Sequence, residues 1–156
     1  MQDKTSPAGS DDSLLQWMID FFQARSALIL GTCRDNLPHC TIMVFVFAPQ
    51  EEAFYLLTPK NSTKHENIRA NEHVSLLLSD HGERGGVFDS SSSAVTISGR
   101  ARELDAYERP GVEELFLHRY PQLEQFIRSP DTVHIRILCE SAVVVRKFRE
   151  VTHYRW

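Results

Sequence analysis

The segment Asn61-Ser62-Thr63-Lys64 has the residue types best suited to binding chemistry. It contains two hydroxyls, on Ser62 and Thr63, and one ammonium, on Lys64. Asn61 and Ser62 are residue types that commonly cap the start of a helix. Free backbone N–H groups at a helix N-terminus attract anions, and a lysine adds positive charge. The segment therefore predicts a phosphate site. The same residues also fit a second interpretation, a capped surface helix whose lysine is solvated.

Other residues invite chemical interpretations that the sequence supports less well. His39 and Cys40 are adjacent and Cys33 lies nearby, but a thiol–imidazole nucleophile requires a specific approach of the two side chains. We predict structural roles for them, and an exposed helix position for His65. The cysteines and histidines lack metal-ligand spacing, so no metal site is predicted. No catalytic acid or base stands out.

Composition limits the possible classes of protein. The chain has 156 residues, 42% of them hydrophobic, which is enough for one domain with a sizeable core. A formal net charge of −4 argues against a nucleic-acid partner. No apolar run is long enough to span a membrane, and the first residues lack the apolar core of a secretory signal. We predict a cytoplasmic protein with a disordered leader (1–10) and a single domain (11–156).

The elements that must position the candidate segment follow from the hydrophobic pattern. A helix with one apolar face is predicted from residue 11 to about 25. Shorter helices are predicted at 63–69, 112–119 and 122–127. β-branched and aromatic runs predict strands at 27–33, 41–48, 53–58, 74–78, 94–104, 132–139 and 142–149, with a possible bulge at Gly99. Short connections favour antiparallel pairing. The predicted fold is mainly β, a six- to seven-stranded antiparallel barrel with α-helices.

Three stretches resemble a known family when their order and spacing are taken together. They read ALILGTCRDNLPHCTIMVFVF, AFYLLTPKNSTKHENIRANEHVSLLL and AVTISGRAREL. The resemblance is to the pyridoxamine 5′-phosphate oxidase-like family of split barrels that bind flavin mononucleotide (FMN). The matching features are Pro38 at the first hairpin, the run from Ser62 to Asn67, and residues 71–77.

The resemblance implies a homodimer with FMN in a groove at its interface. The phosphate would meet the helix start, and the ribityl chain and ring would lie along the second strand. The residues implied are Asn61, Ser62, Thr63 and Lys64 for the phosphate, Thr41, Ile42, Met43 and Val44 for the ribityl chain and ring, and Thr58 near the same groove. The aromatic tail is expected to pack on the barrel or on the partner, with Trp156 as a candidate flavin contact. Phe88 is a second candidate for covering the ring.

Departures from the family pattern narrow the predicted function. Oxidases of pyridoxamine phosphate carry Arg, Arg and Gln at the positions of Thr41, Thr63 and Ala94. We therefore predict a flavin-dependent oxidoreductase of unknown substrate that is not a true pyridoxamine phosphate oxidase. The alternatives are a non-catalytic flavin-binding or storage dimer, the same barrel with coenzyme F420 or haem, and a structural barrel without a cofactor.

Overall fold

A computed structural model of the chain describes residues 11–81 and 90–156. The predicted leader and Phe88 lie outside the described residues. The helices are α1 (Asp11–Gln23), α2 (Thr63–Ala70), α3 (Arg109–Arg119) and α4 (Glu124–Ile127). The strands are β1 (Ala27–Arg34), β2 (Leu37–Ala48), β3 (Ala53–Pro59), β4 (His73–Ser79), β5 (Ala94–Glu103), β6 (Thr132–Arg146) and β7 (Glu150–Arg155). None of the described helices combines the length and apolar character needed to cross a bilayer.

The sheet closes on itself. Its strand order is β3-β2-β1-β4-β5-β6-β7, and β3 also pairs with β6, so six antiparallel strands form a barrel to which β7 is added. Closure leaves fewer free strand edges than an open sheet would. The prediction of a mainly β, six- to seven-stranded antiparallel split barrel is confirmed.

The first hairpin is tighter than the sequence suggested. Asp35 and Asn36 both have positive φ angles, 52° and 60°, which is typical of a two-residue hairpin turn. Arg34 then pairs directly with Leu37, so β2 begins at Leu37 rather than at residue 41. Pro38 lies within the strand, opposite Cys33, and not in the turn.

The prediction of two strands at 132–139 and 142–149 was wrong. β6 runs unbroken from Thr132 to Arg146, and the final turn comes only at Lys147 and Phe148. The pairing shifts register between Ser98 and Gly99, because Ser98 pairs with Ser141 and Gly99 pairs with Cys139. Glu140 is therefore an extra residue on β6, a β-bulge opposite Gly99. This inserted polar residue interrupts the apolar pattern without ending the strand.

Two apolar cores stabilise the barrel. Helix α1 seals the interior with Phe22, which is fully buried and lies 5.1 Å, between ring centroids, from both Phe47 and Phe54. A second cluster lies on the outer face of β2 and β3, beneath α3 and α4, and includes Tyr55 and Phe116. The barrel wall between β2 and β3 is thus packed on both faces.

His134 lies buried on β6 and gives the fold a pH dependence. Burial, followed by the nearby Arg109 charge, lowers the pKa of His134 from 6.5 to about 4. Its Nδ1 accepts a hydrogen bond from Nε of Arg109 at 3.3 Å. The unfolded chain therefore binds a proton on this residue below pH 6.5, while the folded chain stays neutral down to about pH 4.

We expect the contribution of neutral, buried His134 to the stability of the fold to be complete above pH 6.5 and to be lost as the pH falls towards 4. The loss should be roughly 2–3 kcal/mol in the free energy of unfolding. Urea unfolding of wild type and His134→Asn across this range checks it, since Asn keeps an acceptor for Arg109 but does not titrate. Parallel pH profiles for the two proteins would contradict the assignment.

Candidate functional site

The turn between β3 and α2 presents unpaired hydrogen-bond donors. Asn61 adopts a left-handed backbone with φ 61°, and Ser62 caps the helix, its Oγ accepting from the backbone N–H of His65 at 3.4 Å. The N–H groups of Thr63 and Lys64 have no acceptor among the described residues. The first turn of α2 can therefore donate hydrogen bonds to an anion.

Thr58 supports this turn from inside the barrel. Its side chain is buried, and its hydroxyl lies 2.8 Å from Oγ of Ser62. Ser62 Oγ already accepts one hydrogen bond, from the N–H of His65. If Thr58 donates the second, the hydroxyl hydrogen of Ser62 is free to point to a ligand. Thr58 thus positions Ser62 and does not itself line the turn.

Lys64 supplies the positive charge of the turn. Its side chain is half-buried, and within residues 11–81 and 90–156 it has no carboxylate partner. The neighbouring Glu66 is instead paired with Arg34, Oε2 to Nη1, at 3.1 Å. No described carboxylate therefore neutralises the ammonium of Lys64. A cation placed beside free N–H groups suits a phosphate.

One edge of β2 is open beyond the point where its pairing with β3 ends. β2 pairs with β3 only from Phe45 to Ala48, whereas its first half pairs with β1 alone. Alternate residues of an antiparallel strand direct their main-chain groups to opposite sides. Part of the backbone of residues 41–44 therefore faces an edge that no strand in the described part of the chain covers. A ligand lying along β2 would find main-chain donors and acceptors there.

The side chains predicted on β2 do not share one face. Thr41 and Met43 lie opposite Leu30 and Leu28, whose side chains fill the barrel, and Met43 is buried. Ile42 points outward and is 74% exposed, while Val44 packs on the second core beneath α3. The four residues can approach one ligand through their shared backbone edge, but their side chains diverge.

Trp156 lies apart from the turn within one chain. Its backbone N–H donates to the carbonyl of Glu140 at 3.3 Å, and its ring packs on Tyr154 with centroids 5.1 Å apart. Glu140 follows Cys139, whose backbone N–H donates to the carbonyl of Glu52, the residue just before β3. Thr58 lies near the other end of that strand. At the rise of a β-strand this separates the two regions by roughly 20 Å.

The prediction that His65 is an exposed helix residue was wrong. Its side chain is buried, with Nδ1 accepting from the N–H of Asn61 at 3.0 Å and Nε2 lying 3.2 Å from Oε2 of Glu103. The polar run around His65 suggested exposure. Its partner Glu103 lies 38 residues away on β5, so no local pattern could have indicated this contact.

A groove of about 430 Å³ crosses the outer face of β1, β2, β4 and β5. His39 and Cys40 both line it, but as consecutive strand residues their side chains point to opposite faces. They therefore do not form a nucleophilic pair.

Burial raises the pKa of the third thiol, Cys139, which keeps it protonated. No cluster of metal ligands occurs among the described residues.

Solved structures share this barrel. An FAD-binding protein from Mesorhizobium loti superposes with a TM-score of 0.65 at 19% identity, over 81% of this chain and 88% of that protein. A haem storage protein from Vibrio cholerae superposes with a TM-score of 0.64 at 16% identity, over 80% of this chain and 89% of that protein. At these identities the likeness shows the fold alone.

Sequence comparison shows the family. A pyridoxamine 5′-phosphate oxidase homolog from Schizosaccharomyces pombe is 27% identical over 144 aligned residues, covering 72% of this chain and 75% of the relative. The family model for pyridoxamine 5′-phosphate oxidase matches residues 16–142, which include the barrel strands from β1 to most of β6. The split barrel formed by this chain therefore belongs to the pyridoxamine 5′-phosphate oxidase family.

Proposed function

We propose that this protein binds FMN, with the phosphate at residues 61–64, and acts as a flavin-dependent oxidoreductase of unidentified substrate. One observation carries the proposal: in the turn that follows β3, the N–H groups of Thr63 and Lys64 have no acceptor among the described residues and lie together with the Lys64 ammonium, while the pairing of β3 with β2 stops at Phe45. A phosphate suits the turn, and an extended ribityl chain and ring suit the edge. The flavin, when bound, supplies hydride and electron transfer, while the protein orients and shields it.

Pyridoxamine phosphate is not the substrate that we propose. The chain has Thr41, Thr63 and Ala94 at the positions where the pyridoxamine phosphate oxidases carry two arginines and a glutamine. A guanidinium binds phosphate through two parallel hydrogen bonds, whereas a threonine offers one hydroxyl. The anion site retains the helix start and one lysine, which is enough for a single phosphate on the cofactor.

We further propose that FMN lies at the interface of a homodimer. Leu77 pairs with Ile29, and Ile29 pairs with Ile42, so these apolar side chains form one row across the outer face of β4, β1 and β2. They are 37%, 39% and 74% exposed, respectively. An exposed apolar row of this kind suits association with a second copy. Sedimentation equilibrium should give twice the chain mass, and a monomer at micromolar concentration would contradict the proposal.

The cytoplasm is the location that we propose. Cys33, Cys40 and Cys139 are all free thiols. Unpaired thiols, one of them exposed on a strand surface, are typical of proteins in reducing compartments. A redox-sensitive reporter fused to the protein in its native cell would test this location.

Haem is the second candidate ligand, because the outer groove carries His73, which offers an imidazole suited to iron. The visible spectrum of the purified protein separates the candidates. Flavin bands, or quenching of FMN fluorescence on titration, would support FMN, whereas a Soret band would support haem. A colourless protein that binds no FMN would overturn the proposal. Turnover of NADH or NADPH with an electron acceptor then divides an oxidoreductase from a storage protein.

A further inference from the structure

We propose that His65 is a positioning residue for the anion site, holding residues 61–64 in their binding conformation, and that Glu103 selects the tautomer which makes this possible. The inference rests on the proposed FMN phosphate site and adds a residue outside the set that would touch the phosphate. Its support is a chain of hydrogen bonds that runs from the half-exposed Glu103 on β5 through the buried imidazole to the turn.

The backbone of Asn61 requires this support. Its φ of 61° lies in the left-handed region, which costs free energy for any residue with a side chain, although Asn tolerates it better than most. The N–H of Asn61 points inward to Nδ1 of His65, at 3.0 Å. His65 also donates its own backbone N–H to Ser62 Oγ, so it bonds two consecutive residues of the turn. The donors left for a ligand are the N–H groups of Thr63 and Lys64.

The hydrogen bonds determine the tautomer of His65. Nδ1 can accept from Asn61 only if it carries no proton, which leaves the ring hydrogen on Nε2. Nε2 lies 3.2 Å from Oε2 of Glu103, a carboxylate that accepts and cannot donate while ionised. Glu103 therefore selects the tautomer that the turn needs, as carboxylates do for metal-binding histidines.

Burial makes this arrangement specific. His65 is 2% exposed, so both ring nitrogens depend on protein partners instead of water. Glu103 belongs to β5, which ties the start of α2 to the barrel wall. A helix cap that only stabilised the fold would affect all ligands equally. A residue that shapes the turn should affect ligands with a phosphate more than those without one.

Two nearly isosteric substitutions separate these roles. His65→Asn places Oδ1 where Nδ1 stands and can still accept from Asn61, whereas His65→Leu has the same shape without an acceptor. We expect His65→Leu to raise the Kd for FMN about tenfold and His65→Asn to raise it less than about threefold. The Kd for riboflavin, which lacks the phosphate, should change less than about twofold in both. Fluorescence titration measures all of these values.

The outcomes distinguish this inference from the proposed function. If wild-type protein binds neither FMN nor riboflavin, both are overturned. If it binds FMN but His65→Leu weakens FMN and riboflavin equally, or His65→Asn is no better than His65→Leu, only the role of His65 is overturned.

Two further measurements do not depend on the folding of His65→Leu. Nitrogen-15 NMR of wild-type protein should show the hydrogen of His65 on Nε2, and the opposite tautomer would overturn the inference. Glu103→Gln should weaken FMN binding about threefold, because its amide no longer selects one tautomer. Glu66→Gln removes a similar charge near the same helix without touching His65 and should not weaken binding. Equal weakening by both would contradict the role of Glu103.

Discussion

Replacing Lys64 with alanine should raise the Kd for FMN by about ten- to a hundredfold and leave the Kd for riboflavin within about twofold. Lys64 is half-buried, and its ammonium has no carboxylate partner among the described residues. Its charge is therefore available to the phosphate, and hydrogen bonds to charged groups are the stronger ones in proteins. The remaining N–H donors of Thr63 and Lys64 keep some affinity in the variant. Fluorescence titration with both flavins at constant ionic strength checks the prediction.

Lys60→Ala is the matched control for this substitution. Lys60 precedes the turn by one residue and is exposed, and its backbone N–H bonds to the carbonyl of Asp131 whatever its side chain. It changes the net charge by the same amount as Lys64→Ala, so it measures the general electrostatic effect, which salt screens. An equal loss of FMN affinity in both variants, or an equal loss of riboflavin affinity in Lys64→Ala, would remove Lys64 from the phosphate site.

Most of the barrel could be predicted because its signals are local. β3 is a compact run of aromatic and aliphatic residues bounded by turns, and its predicted start and end lie within one residue of those observed. Ser62 indicates the start of α2, because its side chain caps the helix by accepting a hydrogen bond from the backbone N–H three residues later. Seven strands with short connections then favour closure, since an open sheet would leave longer edges exposed.

The errors occur where pairing between distant strands decides the outcome. Glu140 interrupts the apolar pattern of β6, and only the register against Gly99 shows that it is a bulge. Pro38 suggested a turn, yet the left-handed backbones of Asp35 and Asn36 already complete the hairpin, so the proline sits in the paired strand. Neither pairing register can be predicted from the residues adjacent in sequence.

In the candidate site, too, the contiguous part could be predicted and the contacts between distant residues could not. The turn from Asn61 to Lys64 is contiguous, so the sequence could indicate it from residue types alone. The contact between His65 and Glu103 joins β5 to α2, and the long polar run around His65 gave no reason to expect burial. Trp156 also required the fold, because the position of β7 on β6 places it near Glu140.

Replacing Phe22 with alanine should lower the free energy of unfolding by about 3–5 kcal/mol. Phe22 is fully buried where α1 closes the barrel, and its ring meets those of Phe47 and Phe54 edge-on at 5.1 Å. Those two rings lie on β2 and β3, so Phe22 joins the helix to the strands that flank the open edge. Truncation leaves a cavity between rigid strands that can collapse only in part. Urea unfolding followed by circular dichroism measures the loss.

The matched control is the same substitution at Phe148, in the turn before β7, where the side chain is 62% exposed. Phe148→Ala should change the free energy of unfolding by less than about 0.5 kcal/mol. A small effect for Phe22→Ala would mean that α1 covers the barrel without filling it, and that the interior aromatic rings pack well on their own. A large effect with an unchanged Kd for FMN in the folded variant would place the role of Phe22 in the scaffold alone, because α1 and the α2 turn would then be energetically independent.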